Sequence, residues 1–515
     1  MAFPNPLRNA ITSGTFCYVV ELVASRLTRE AKLLQVASDL AQVPGVVAGS
    51  ITSYAGGATG HDPIRVGTAA RARGLTPNIH LTCVNRDLLD LRNALEDLSA
   101  LGIENIFAIT GDYPKGAKDA GPPLFAMDAV QLVELISELR AGGLPFFCSV
   151  AVSPFKYTEP DCNYQYLKLE KKIKAGADFA ITQLGFDSKK FRELKRYLDE
   201  RNLKTPVLGN VYVLHAKAAE KMSKGEPPGC WVSKDLMERI QEETKASTDK
   251  GLAARLERAA RMVAIVRGLG YGGAYLGGDH QADRIRWMIK RSEELAPRWE
   301  ELAEELEYAP KGGYYLFESP KAPKKQELMP RVLDALGSMF PVKKGGGLHD
   351  FLATIFRWVD KRPGAAHALE RAELMMKKSV FGCEACGNCV LGEMEYTCPM
   401  TCPKKLRNGP CGGTFNGQCE VIPDRPCIWV GVYERAKSAG HLEDLRMYIP
   451  PRNRSLQGTS SFINLFLHRD SRPGNYQPLV SISNVVLPAQ RTAAAAAKAD
   501  VTSDASLVKV EGGRK

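Results

Sequence analysis

The chain has 515 residues, 44% of them hydrophobic and 25% charged, which is enough for two or three domains with cores of their own. The formal net charge is +11, but Lys and Arg are spread over many predicted helices without a basic stripe or interleaved aromatic residues, which argues against a nucleic-acid partner. The N-terminal residues are polar and interrupted by proline, unlike a signal peptide, and no stretch approaches the roughly 20 apolar residues of a membrane span, so we expect a cytoplasmic protein without a membrane partner.

The first part of the chain alternates short β-branched runs with longer amphipathic stretches, which predicts βα units around a parallel sheet. The predicted strands are Phe16–Val23, Val46–Ser53, Thr76–Cys83, Asn105–Thr110, Pro145–Val152, Asp178–Leu184, Pro206–Val213 and Gly273–Leu276. The predicted helices are Glu30–Ala41, Asp87–Leu101, Ala129–Ala141, Tyr164–Ala175, Lys189–Arg201, Gly251–Leu269 and Arg284–Leu295. Eight units favour a closed (β/α)8 TIM barrel over residues 1–308, because open doubly wound sheets usually stop at five or six strands.

The character of the sequence changes after the predicted barrel. Residues 309–327 are rich in Pro, Gly and Lys and predict a linker. Three predicted helices, Leu328–Phe340, Leu348–Lys361 and Ala365–Lys378, then lead into a cysteine-rich segment. We expect a small helical, cysteine-rich metal-binding module over residues 328–450, followed by an irregular to disordered tail over 451–515.

Polar side chains follow several predicted strands at their C-terminal ends, where a barrel of this kind carries its active site. They include Glu21, Thr52, His80, Asp112 and Gln183. Because burying a carboxylate is costly unless it is used, Glu21 predicts an inward-facing functional group; the alternative is an outer carboxylate that is solvated or paired with an arginine. Asp112, in a Gly-Asp turn, is functional or an Asx-turn residue, and His80 is a ligand-binding or a satisfied core histidine.

The cysteines are concentrated near the C-terminus, with eight of the 13 between residues 383 and 427. These eight are Cys383, Cys386, Cys389, Cys398, Cys402, Cys411, Cys419 and Cys427. In a reducing compartment, cysteines at this density predict metal ligands and argue against a disulfide framework. Eight thiolates suffice for two [4Fe–4S] clusters, and ferredoxin-type ligation uses the Cys-x2-Cys-x2-Cys and Cys-Pro patterns seen here. The alternative is two zinc ions with four thiolates each.

One ordered set of motifs resembles the methylenetetrahydrofolate reductase family over about residues 10–300. The motifs are Glu21, Thr52, His80-Leu-Thr-Cys83, Thr110-Gly-Asp112, Phe125-Ala-Met-Asp128 and Ala180-Ile-Thr-Gln183. The resemblance implies a flavin-binding barrel that reduces 5,10-methylenetetrahydrofolate to 5-methyltetrahydrofolate in one-carbon and methionine metabolism. It also implies FAD, with FMN as the alternative, NAD(P)H or a ferredoxin-type protein as electron donor, and a homo-oligomer.

The resemblance assigns a role to each matching residue. Glu21 resembles the general acid that protonates the folate nitrogen, and a carboxyl with a raised pKa suits that task. Asp112 resembles the carboxylate near flavin and pterin, and Gln183 resembles a pterin-binding residue. The positions that match flavin contacts are Thr52, His80, Gly111, Asp112, Ala126, Lys171 and Lys172. Lys171 and Lys172 would lie near the flavin phosphates; the alternative is a solvated helix face.

The cysteine-rich segment is similar to a C-terminal module fused to some reductases of this family, and to the small partner subunit of acetogen-type reductases. This implies electron transfer or docking. Two segments depart from the family pattern: Ser153-Pro154-Phe155 replaces an aromatic-Pro pair, and residues 208–213 replace a Pro-Gly-Ile-x-Pro segment that helps to bind nicotinamide. Two alternatives stay open: a folate-binding methyl-transfer or corrinoid-associated protein, against which Glu21 and Asp112 together argue, and a zinc-stabilised assembly module without electron transfer.

Overall fold

The computed structural model describes residues 4–53, 60–114, 122–318, 328–339 and 347–470. Part of the expected linker (319–327) and most of the expected tail (471–515) lie outside these residues. The chain forms two compact units: a barrel unit of Met1–Ala322 with Pro403–Val430, and a C-terminal unit of Pro323–Cys402 with Gly431–Lys515. In the described ranges no helix has the length and apolar character needed to cross a membrane.

Eight parallel strands close into a barrel in chain order, which confirms the predicted (β/α)8 fold. The strands are β1 (Cys17–Leu22), β2 (Val46–Ile51), β3 (Pro77–Thr82), β4 (Asn105–Ile109), β5 (Phe147–Val152), β6 (Phe179–Thr182), β7 (Val207–Tyr212) and β8 (Gly273–Gly277). The closing pair joins β1 to β8, with Val19 opposite Tyr275. Each predicted strand is present and most are a residue or two shorter at the ends, where hydrophobic runs continue into the loops.

The helices of the barrel unit surround the sheet. They are Pro6–Ser13, Glu30–Leu40, Pro63–Arg71, Leu88–Ala100, Ala129–Ala141, Glu159–Lys174, Ser188–Glu200, Ala216–Ser223, Lys234–Ala246, Leu252–Gly268, Ala282–Leu295 and Trp299–Glu305. The helix Glu159–Lys174 begins five residues before the predicted start, because the side chain of Thr158 caps it and Pro160 occupies its first turn.

The barrel interior is apolar at its N-terminal end and polar at its C-terminal end. A core cluster at the apolar end includes Val19, Phe107, Phe179 and Leu208. The helix Pro6–Ser13 belongs to the same cluster and covers this end with its apolar face. Side chains alternate along a strand, so Glu21, two residues after Val19 in β1, also faces the barrel interior. It lies nearer the open, C-terminal end of the barrel.

The segment Pro403–Val430 packs on the barrel, although the sequence analysis treats it as part of one module over 328–450. Asp128 explains part of this attachment: its Oδ1 caps the helix Ala129–Ala141, and its Oδ2 accepts from the backbone N–H of Asn408 at 3.0 Å and from its side-chain amide at 3.1 Å. Asp161 likewise accepts from the N–H of Gly417 at 2.8 Å. Buried carboxylates thus satisfy backbone donors of a segment that has little regular structure of its own.

Buried barrel side chains satisfy carbonyls of the same segment. Lys156 donates to the carbonyl oxygen of Gly412 at 2.7 Å, and Gln165 donates to that of Cys411 at 2.9 Å. Lys168 donates to the carbonyl of Pro410 at 2.9 Å. The loop around Cys411 is therefore held on the barrel by its backbone, largely independently of its own side chains.

The C-terminal unit is helical. Its helices include Leu328–Met339, Gly347–Asp360, Pro363–Phe381 and Ser461–Phe466, while Ile428–Ala439 begins in the segment that packs on the barrel. The three predicted helices of this region are therefore present. The helix Ser461–Phe466 lies in a stretch expected to belong to the tail, but Phe466 stacks on Phe356 at 4.8 Å and the hydroxyl of Ser460 donates to Glu373.

Candidate active site at the barrel mouth

A cavity of about 260 Å³ opens at the C-terminal ends of the strands. It is lined by residues from each of the eight strands or the loops that follow them, and by residues between 404 and 420 of the packed segment. Its lining includes Glu21, Thr52, His80, Gly111, Asp112, Lys172 and Gln183. The structure therefore brings together seven of the residues singled out from the sequence.

Glu21 points into this cavity from β1, as predicted, and is half-buried. Burial raises the pKa of Glu21 to about 7. Tyr212 and Tyr275 lie close enough to the carboxyl for its charge to raise their own pKa values, after the larger effect of burial. Because Glu21 lines the cavity, the alternative of an outer carboxylate that is solvated or paired with an arginine is wrong, and a pKa of about 7 places its ionisation near neutral pH.

Asp112 follows β4 at the rim of the same cavity, next to the glycine that the sequence analysis singled out. Gly111 has a φ of 92°, and a Cβ there would lie 3.2 Å from Cβ of Thr82, so the bare backbone is needed. Lys404 donates to the carbonyl oxygen of Gly111 at 2.9 Å and forms an ion pair with Glu420, in which both side chains are 3% exposed. Burial by itself would lower the pKa of Lys404. The negative charges of Glu420, Cys411 and Asp112 outweigh this effect, so the pKa of Lys404 is raised overall.

His80 and Thr52 line the cavity with their polar groups already engaged. His80 Nε2 is 2.9 Å from Oγ of Ser50, which also accepts from Asn78, and its ring packs edge-on against Phe107. Burial lowers the pKa of His80 to about 3, so the imidazole is neutral. Thr52 Oγ1 accepts from the N–H of Ala24 at 3.1 Å.

The two lysines predicted near a phosphate group are buried, so the alternative of a solvated helix face is wrong. Burial lowers the pKa values of Lys171 and Lys172 to about 7. Lys172 lines the cavity and donates to the carbonyl of Ala151 at 2.6 Å. Lys171 and Ala126 do not belong to the cavity lining; Ala126 is half-buried in the bend before the helix Ala129–Ala141.

The cavity wall also contains residues that were not predicted for it, among them Cys411, which was predicted only as a metal ligand. Ser153 Oγ and Asn210 Oδ1 line the cavity, are buried, and have no hydrogen-bond partner. The segment 403–430 adds Lys404, Cys411 and Glu420 to the wall. Asn210 could have been predicted as a site residue, because it is a polar residue within the apolar run of β7. The sequence around Lys404 and Glu420 contains no comparable pattern.

The predicted metal ligands are distributed over both units. Cys411, Cys419 and Cys427 belong to the barrel unit, and the other five belong to the C-terminal unit. Within the C-terminal unit, burial and then the charges of Cys386, Cys383 and Cys389 raise the pKa of Cys398 to about 12, so these four thiols lie within range of one another's charges. In the ranges that the structure describes, no three His, Cys, Asp or Glu side chains come together at distances suited to one metal ion.

These observations test whether a flavin and a metal fit. The cavity offers two partnerless polar atoms, a neutral imidazole and the buried amine of Lys172, which suit a flat polar heterocycle with an anionic substituent. Phe155 does not contribute an aromatic wall, because its ring packs on Phe191 at 5.0 Å. The four neighbouring thiols have the donor chemistry for zinc or [4Fe–4S], but their positions do not form a closed ligand set.

Known proteins resemble parts of this chain. A methylenetetrahydrofolate reductase from Schizosaccharomyces pombe is 26% identical over 249 residues, which cover 44% of this chain and 37% of the yeast protein. The 5,10-methylenetetrahydrofolate reductase of Escherichia coli is 35% identical over 115 residues, covering 22% of this chain and 36% of that enzyme. The matches therefore span little more than a third of these relatives.

A solved structure, described as an uncharacterized protein from Clostridium thermocellum that binds two copies of 5-methyl-5,6,7,8-tetrahydrofolic acid, has a TM-score of 0.41 and 12% identity, and covers 57% of this chain and 99% of its own.

Two family models match the chain. Residues 363–455 match the methylene-tetrahydrofolate reductase C-terminal model. Residues 6–268, just over half of the chain, match the methylenetetrahydrofolate reductase model. The expected fusion is thereby confirmed, and the chain belongs to the methylenetetrahydrofolate reductase family.

Proposed function

We propose that this protein catalyses the flavin-dependent reduction of 5,10-methylenetetrahydrofolate to 5-methyltetrahydrofolate. The observation that carries the proposal is Glu21, whose pKa burial raises to about 7, at the mouth of a barrel of this family. A carboxyl group with such a pKa holds a proton near neutral pH and can release it, which is what a general acid must do.

Glu21 is the proposed acid for ring opening. It donates its proton to the bridging nitrogen of the folate, which opens the five-membered ring and leaves an electrophilic one-carbon unit on the other nitrogen. When bound, the flavin supplies the hydride that this carbon accepts. Burial of the carboxyl favours its protonated form, which is the form the acid needs before ring opening.

The remaining predicted residues are proposed to bind and orient the folate and the flavin. Gln183 presents an amide to the pterin, and Asp112, which follows β4, is the carboxylate that the flavin and the pterin share. The groups proposed to hold the flavin are Thr52, His80, Gly111, Asp112, Ala126, Lys171 and Lys172. Lys172 lines the cavity and Lys171 does not, so Lys172 is the better placed of the two to face a flavin phosphate. FAD is the proposed flavin, and FMN is the alternative.

We further propose that the eight cysteines bind metal, as two [4Fe–4S] clusters or as zinc. Cys383, Cys386, Cys389 and Cys398 all belong to the C-terminal unit, which supports one four-thiol site there. A visible spectrum of the purified protein separates the two metals, because clusters add a broad reducible absorption to the flavin bands and zinc adds none. The donor, NAD(P)H or a ferredoxin-type protein, and the homo-oligomeric state stay predictions.

The test of function compares the protein with its Glu21→Gln variant. Purified wild type should contain flavin, and 5,10-methylenetetrahydrofolate should reoxidise the chemically reduced flavin. The variant should keep the flavin spectrum and lose at least about a hundredfold in this reoxidation rate, the usual contribution of a positioned acid. A Glu257→Gln variant, which removes a carboxylate from the outer surface of the barrel, serves as control. Purified protein without flavin, or folate binding without reoxidation in the wild type, would favour the folate-binding methyl-transfer alternative.

A further inference from the structure

Asn210 is a buried polar residue in the middle of the barrel wall. It lies in β7 between Leu208, which belongs to the apolar core, and Tyr212. Its backbone N–H donates to Oγ1 of Thr182 at 2.8 Å, which fixes the strand at this point. Its side chain is 8% exposed and lines the mouth cavity, and its Oδ1 accepts no hydrogen bond.

Asn210 belongs to a row of polar side chains on three adjacent strands. In the parallel register Val152 lies opposite Thr182 and Ile181 lies opposite Leu208. Continued by one residue on β5–β6 and by two on β6–β7, this register puts Ser153, Gln183 and Asn210 at one level of the mouth. Ser153 is 3% exposed, and its Oγ also lacks a partner.

A buried acceptor without a donor destabilises a protein, since folding removes it from water without replacement. An apolar side chain would avoid this cost in β7, where Leu208 packs well one layer below. The unsatisfied oxygen thus points to a ligand that brings an N–H or O–H donor into the cavity.

We propose that Asn210, flanked by Ser153, recognises the N–H edge of the folate's pterin ring. The inference rests on the proposed function and adds a specificity residue that the family motifs do not include. Flavin and pterin both carry a cyclic amide N–H. The strand order favours the pterin, because β7 lies between β6, which carries Gln183, and β8, which is next to Glu21 on β1. Three of the proposed flavin residues lie elsewhere instead: His80 in β3, and Thr52 and Gly111 just after β2 and β4.

The test is an Asn210→Leu variant of the full-length, flavin-containing protein, with binding of 5-methyltetrahydrofolate measured by titration calorimetry. We expect at least a tenfold weaker dissociation constant, an unchanged flavin content, and a melting temperature of the folate-free protein that is equal or higher. The last readout separates recognition from support of the fold, because a structural asparagine would lower the melting temperature. Asn210→Ala gives the same comparison if the leucine variant does not fold.

Two serines, Ser149 in β5 and Ser153 just after it, provide the matched control. Ser153→Ala should weaken folate binding, whereas Ser149→Ala, which loses a hydrogen bond to the carbonyl of Ile106 inside the wall, should leave it unchanged. Equal folate affinity in wild type and Asn210→Leu would overturn the inference, as would loss of flavin with folate affinity retained. Wild-type protein that does not bind 5-methyltetrahydrofolate would instead overturn the proposed function itself.

Discussion

Replacing Glu21 with glutamine should stabilise the protein at alkaline pH and change its stability little at acid pH. The cause is the pKa of Glu21, which burial raises from an ordinary 4.5 to about 7. Between these two values the folded protein holds a proton that the unfolded chain has released. Wild-type stability therefore falls as the pH rises through this window, and glutamine, which does not titrate, removes the effect.

The size of this stability change follows from the difference between the two pKa values of Glu21, 4.5 and about 7. One pKa unit corresponds to about 1.4 kcal/mol, so a fully ionised Glu21 costs about 3 kcal/mol relative to its protonated form. Part of this cost is already present at pH 5. The free energy of unfolding of Glu21→Gln relative to wild type should thus increase by about 2.5 kcal/mol between pH 5 and pH 8.

Calorimetric melting of both proteins at several pH values measures this difference. Glu257→Gln is the control of opposite sign, because hydrogen bonds from Arg291 and then Arg261 lower the pKa of Glu257. Its carboxylate stabilises the fold above the ordinary pKa of glutamate, and the control should therefore melt below wild type at pH 8. A Glu21→Gln difference that stays constant from pH 5 to pH 8 would refute the raised pKa, and with it the argument for a proton held near neutrality.

Two further substitutions test residues outside the mouth cavity. Lys190→Met should lower the free energy of unfolding by about 3–5 kcal/mol, because Lys190 is 0% exposed and its loss leaves Glu193, 2.8 Å away, buried without its cation. The neighbouring exposed pair makes Lys189→Met the control, with a loss of at most about 1 kcal/mol, and equal losses in denaturant titrations would contradict the prediction. Cys386→Ser should reduce the metal content found by elemental analysis, whereas Cys230→Ala, in the barrel, should not; unchanged metal in both would remove Cys386 from the ligand set.

The barrel could be predicted from sequence because its signals are local. Alternation of apolar residues marks the strands, and capping residues and amphipathic periodicity mark the helices, so β1–β8 were recognised in order. Helices such as Ala216–Ser223 and Lys234–Ala246 were not predicted, since they lie in polar stretches with weak periodicity. The inward direction of Glu21 follows from strand alternation with Val19.

The mouth cavity depends on contacts between residues far apart in sequence. The sequence determined the barrel, the family and the inventory of thiols and strand-end carboxylates. Only the tertiary structure decided that the segment 403–430 packs on the barrel, because Asp128 and Lys168 bind its backbone and backbone groups carry no sequence signature. It also decided that Lys171 and Lys172 are buried, and that Asn210 and Ser153 lack partners. Burial and the satisfaction of polar groups are properties of the assembled neighbourhood, so no local pattern encodes them.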